Sequence, residues 1–113
     1  YNDCFDLSFG KYFLVKGVFN NCGDKALSVG EKSILKIEKV NIKNSNIGVA
    51  SKDSTLVKIT DADMDRVKYC LSAYNKKQEF YGGMITVDKL RCKNYFDKTS
   101  KDKSSDILIQ NNF

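Results

Sequence analysis

The sequence predicts a mainly α fold, a small disulfide-stapled bundle of about four helices. Three observations lead there: four cysteines in a chain of 113 residues, apolar residues recurring at three- and four-residue intervals, and loop-forming residues clustered between the apolar blocks. An α+β arrangement with a hairpin within residues 5–19 or 34–59 is the alternative. No internal repeat, low-complexity tract or linker stands out, which predicts a single domain over residues 1–113.

The cysteines come first because they limit the rest. Cys4, Cys22, Cys70 and Cys92 are separated by 18, 48 and 22 residues, and the chain has no Cys-x-x-Cys and no histidine. A zinc ligand set is thereby disfavoured, and two disulfides are the expected use of an even count in a short chain. Such pairing belongs to an oxidising compartment, so the chain reads as secreted and extracellular. It begins at Tyr1 without methionine, as a secreted chain does after signal cleavage, and no apolar run is long enough to span a bilayer.

The first block, residues 5–19, is apolar on nearly every side. Phe5, Phe9, Tyr12, Phe13 and Phe19 share one helical face and Leu7, Leu14 and Val18 another, although Gly10 and Gly17 keep the hairpin in play. In the second, residues 31–43, Lys32, Lys36, Lys39 and Lys43 are spaced 4, 3 and 4 apart, one stripe of a helix, with the apolar residues on the remainder. The third, residues 61–78, opens on Thr60 and Asp63 as a capping box, with Asp61, Asp63 and Asp65 suited to the positive end of the helix dipole. Met64, Val67, Leu71 and Tyr74 then recur at helical intervals. The fourth follows the turn at Gly82–Gly83, where Thr86 can cap a helix bearing Val87, Leu90 and Phe96. A last short helix would carry Ile107, Leu108 and Ile109.

This outline constrains the disulfides. A helix over residues 5–19 would hold Cys4 and Cys22 about 27 Å apart at 1.5 Å per residue, so each must reach Cys70 or Cys92. A hairpin in that block would instead permit Cys4–Cys22.

The functional inventory begins with exclusions. Without histidine there is no Ser-His-Asp or Cys-His arrangement, and the usual His-bearing metal sites are gone. Asp61, Asp63 and Asp65 would be spread around a helix rather than paired, and they lack the glycine and glutamate of a calcium loop. Gly82–Gly83 lacks the Lys-Ser/Thr ending of a phosphate loop. No catalytic residue, cofactor or metal is therefore expected, and the chain reads as non-enzymatic.

Its charge is more informative. The net charge is +5, with Lys89, Arg91, Lys93, Lys98, Lys101 and Lys103 crowding one stretch. Together with the Lys32, Lys36, Lys39 and Lys43 stripe they form candidate binding faces for a polyanion. Lysine outweighs arginine, which disfavours sequence-specific nucleic-acid readout. Tyr81 and Tyr95 beside these lysines, with Phe113, are candidate exposed contact anchors.

A basic, four-cysteine chain of this size and layout resembles the small salivary proteins of blood-feeding insects, such as the anopheline family that inhibits complement. The likeness lies in the layout and carries no individual residue. It implies a secreted binding protein whose partner is an extracellular host protein, a component of complement or coagulation, inhibited by surface contact. Insect odorant-binding proteins with four cysteines are a second likeness, with a longer first cysteine gap than Cys4 to Cys22. A carrier of a small apolar ligand between helices and a polyanion-binding protein are the alternative functions.

Overall fold

Leu35, Ile37, Val40 and Ile42 fit a helix by spacing, yet they are the buried face of an extended strand whose alternation shifts by one residue. Leu35 and Ile37 point inward, Glu38 and Lys39 both stay at the surface, and Val40 and Ile42 point inward again. The local shift converts a period of two into an apparent i+3 step.

A computed structural model describes residues 2–113. Among them there is no helix, and eight strands form one sheet: β1 (Phe5–Ser8), β2 (Lys11–Asn20), β3 (Lys25–Gly30), β4 (Ile34–Lys52), β5 (Leu56–Tyr74), β6 (Met84–Lys93), β7 (Asp97–Lys101) and β8 (Asp106–Asn112). Every pairing is parallel. The register shows the principle of the fold. Phe5 pairs Leu27, Leu27 pairs Val49 and Val49 pairs Leu71, each step being 22 residues. The chain is a parallel β-solenoid in which each coil lies on the one before.

Each coil has two walls. The first consists of β2, the leading halves of β4 and β5, then β6 and β8; the second consists of β1, β3, the trailing halves of β4 and β5, then β7. Stacking converts each apolar position into a column, such as Leu35–Val57–Ile85 on the first wall and Leu27–Val49–Leu71 on the second, and the columns merge in one core.

The corners explain the turns. Asn21, Asn44, Arg66 and Asn94 all have left-handed φ values of 53–57° and occupy one corner of successive coils. Asparagine tolerates this conformation better than most residues. At the other corner Phe9, Glu31 and Asp53 repeat the device with φ of 50–52°. Arg66 also explains the false helix in the third block: this corner lies between inward-facing Met64 and Val67, so a change of wall mimics an i+3 step.

The helical bundle is thus overturned, and with it the helical reading of all four blocks. The hairpin alternative fails in both places: β1 and β2 pair in parallel with β3 and β4 rather than with each other, and across residues 34–59 β4 pairs in parallel with β5. The disulfides are Cys4–Cys22 and Cys70–Cys92, not bridges between the two halves of the chain. Their separations of 18 and 22 residues are close to one coil, so each bond staples neighbouring coils. Closing loops of this length contributes about 3 kcal/mol each by chain entropy.

The repeat is real but irregular. The step is 23 residues from β2 to β4 and 28 from β5 to β6 and β7, because residues 76–81 form a loop outside the coil. Asp53, 2% exposed, holds that loop from within: its Oδ1 accepts the Lys76 and Lys77 backbone N–H groups at 2.7 and 2.9 Å. The Asn75 side-chain amide donates within the loop, to the carbonyls of Lys77, Phe80 and Tyr81. Gly83 returns the chain to the coil, where a Cβ would collide with the Ser51 carbonyl.

Candidate binding groove

On the outer surface of the first wall, stacking aligns polar residues as it aligns the core. One column runs Phe13–Lys36–Lys58–Thr86–Leu108 across five coils, about 19 Å at the usual strand spacing. Two residues further along each strand stand Glu38, Thr60, Asp88 and Gln110. Between the columns lies an open groove of about 570 Å³, parallel to the solenoid axis. Lys36, Lys58, Glu38 and Asp88 are exposed, and among the described residues none of the four is in an ion pair.

Beyond a ridge at Lys39 a second groove, of about 360 Å³, is lined by Asn20, Lys43, Asp65 and Lys93 among others. The ridge carries an ion-pair quartet. Lys39 Nζ lies 3.3 and 3.8 Å from Asp61 and Asp63, and Arg91 Nη1 lies 3.2 and 3.4 Å from the same two carboxylates. Asp61, Asp63 and Asp65 therefore stand on one face of a strand and are not spread around a helix. Two of them, Asp61 and Asp63, are held in ion pairs with Lys39 and Arg91. Asn94 donates to Asp65 at 2.8 Å and holds its carboxyl below the ordinary value.

The fold brings together six of the sequence-predicted binding residues, Lys36, Lys39, Lys43, Lys89, Arg91 and Lys93, on this wall. It does not bring the others. Lys32 lies at a corner with its Nζ 5.9 Å from the Phe80 ring centroid. Tyr81 is 83% exposed on the 76–81 loop, while Lys98 lies over the Tyr95 ring and donates to Asn112 on a different edge. Lys58 and the opposite rim of Glu38, Asp88 and Gln110 are not singled out by the sequence, and Thr60 is marked there only as a helix cap. The available signal was the 22-residue interval between Lys36 and Lys58.

Three groups whose titration burial affects first, Tyr74, Lys52 and Lys25, lie outside both grooves, on the second wall. Burial pushes the Tyr74 hydroxyl up, and burial with the charges of Lys25 and Lys76 pushes the Lys52 ammonium down. Lys25 goes the other way: burial opposes its charge, but the hydrogen bond to Asp24 and the negative charges of Tyr74, Asp3 and Asp24 together outweigh it and raise the ammonium. Among the described residues no cluster of histidine, cysteine and acidic side chains is disposed to hold a metal ion, and no helix is long and apolar enough to cross a membrane. The two disulfides indicate an extracellular or otherwise oxidising compartment.

Fold and surface together define a disulfide-stapled parallel β-solenoid with a two-rimmed polar groove along one wall. No known protein family, curated protein or solved structure matches the chain.

Proposed function

We propose that this chain is a secreted, non-enzymatic binding protein that holds an extended anionic polymer lengthwise across its coils. The observation that carries the reading is the stacking of Lys36 on Lys58 inside a groove crossing five coils, with neither ammonium in an ion pair. Unpaired lysines in register present charge at the strand spacing of about 4.8 Å, which suits a ligand with regularly repeated anionic groups. The apolar-carrier alternative places its ligand between helices, whereas the two grooves described above are open and rimmed by charged side chains, which favours an anionic ligand. A flat acidic protein surface would meet the rims without filling the groove, and ligand length separates it from a polymer.

The test is calorimetric titration with carboxylated and phosphorylated oligomers of increasing length. Affinity is expected to rise with length until the groove is spanned, then level off, and to fall steeply as salt is raised. Lys36→Gln with Lys58→Gln should weaken every anionic oligomer. Absence of binding to all of them at low salt, in folded protein, contradicts the proposal.

A further inference from the structure

The two rims of the groove differ in what they demand of a ligand. Lys36 and Lys58 want anions. Glu38 and Asp88, on the facing column and unpaired, accept hydrogen bonds from O–H or N–H donors and repel a densely charged chain. Thr60 and Gln110 on that same rim both donate and accept. At the two ends Phe13 and Leu108 are 61% and 54% exposed, giving apolar contact surfaces on the lysine side.

We infer that the ligand is an acidic polysaccharide, a chain of sugar rings carrying carboxylates and many free hydroxyls. This rests on the polyanion reading and narrows it. Such a chain satisfies both rims together: its carboxylates meet the lysines, its hydroxyls donate to Glu38 and Asp88, and the C–H faces of its rings lie against Phe13 and Leu108. Polyphosphate and nucleic-acid backbones lack dense hydroxyl donors, so they would leave the two acids unpaired beside phosphate charge. A neutral glycan would satisfy the acids and leave the lysines unused.

Binding of oligogalacturonate, a neutral mannan oligomer and linear polyphosphate to the whole chain tests this, with circular dichroism confirming that each variant keeps its strand spectrum. Oligogalacturonate should bind at least about tenfold more tightly than either competitor, the factor expected when hydrogen bonds to charged groups are gained or lost. The discriminating variant is Glu38→Gln with Asp88→Asn. It should weaken oligogalacturonate about tenfold and strengthen polyphosphate, since a donor bond to a charge is lost in one case and a repulsion in the other. Polyphosphate bound as tightly as oligogalacturonate, or both ligands shifting in the same direction in the variant, overturns the assignment while leaving the polyanion reading intact. Tightest binding of the mannan, or binding to none of the three, overturns both.

Discussion

β4 and β5 show what this solenoid fixes and what it leaves free. Both are 19 residues long, and their burial patterns differ only where exposed Lys43 in β4 is matched by partly covered Asp65 in β5. Their outer chemistry has little in common. Glu38 is stacked on Thr60, Lys39 on Asp61 and Asn41 on Asp63, while the next return loop carries six extra residues after β5 that it lacks after β4. The inward columns are constrained by neighbours above and below. The outward columns and corners are constrained by little except solvent, and variation collects there. A groove whose character depends on outer columns can thus be varied at little cost in folding.

Five substitutions probe the contrast, from the largest effect to the smallest. Gly83→Ala strikes where the longer coil rejoins the stack. A Cβ meets the Ser51 backbone, which a neighbouring strand cannot move aside, so the loss should be about 3 kcal/mol or more in urea denaturation. Wild-type stability there would mean that the six-residue loop rejoins the coil differently. Next, Asp53→Ala should cost about 2 kcal/mol, because it orphans the backbone donors of Lys76 and Lys77. Glu31, stacked at the preceding coil's corner, reaches the loop only through an exposed ion pair with Lys77, and Glu31→Ala should cost less than about 1 kcal/mol. Equal losses would refute the view that the insertion is held from inside.

Arg66→Asn makes the β5 corner like the β4 corner at Asn44. Replacing a residue ill-suited to a φ of 54° should stabilise by up to about 1 kcal/mol in thermal melts, less the exposed hydrogen bond from Arg66 to Asn44. The smallest effect concerns Asp65 itself. Its carboxyl is held low by the Asn94 amide, so the folded pKa lies below the unfolded one. The associated stability is present above the ordinary pKa of about 3.9 and is lost as pH falls through the depressed value. An NMR titration of Asp65 should place its midpoint below the usual range, and Asn94→Ala should raise it toward that range, with the charges of Arg66, Lys43 and Lys93 still acting to lower it.

How far the sequence was legible follows from the same contrast. The cysteines disclosed disulfides, because absence of histidine and of close cysteine pairs left little else for them to do. Six of the candidate cations share one wall, although helical spacing groups only Lys36, Lys39 and Lys43 among them, and Lys89, Arg91 and Lys93 are grouped by local charge alone. The coil itself stayed hidden for two reasons. The shift at Glu38–Lys39 and the left-handed corners break strict alternation into three-residue steps that imitate a helix. The repeat is masked because its length runs 23, 22, 28 and 22 residues, so Leu35 and Val57 are a coil apart at one interval and Val57 and Ile85 at another. Lys58 escaped notice for the second reason: it belongs with Lys36 only when the coil is known.

Everything proposed for the groove depends on Lys36 lying against Lys58 and Lys58 against Thr86. A nuclear Overhauser spectrum of the labelled chain tests that stacking directly. The account predicts cross-strand backbone contacts between residues 35–37 and 57–59 and between 57–59 and 85–87, in parallel register. Contacts confined to residues three and four apart within each segment, or antiparallel contacts within residues 34–59, would contradict it.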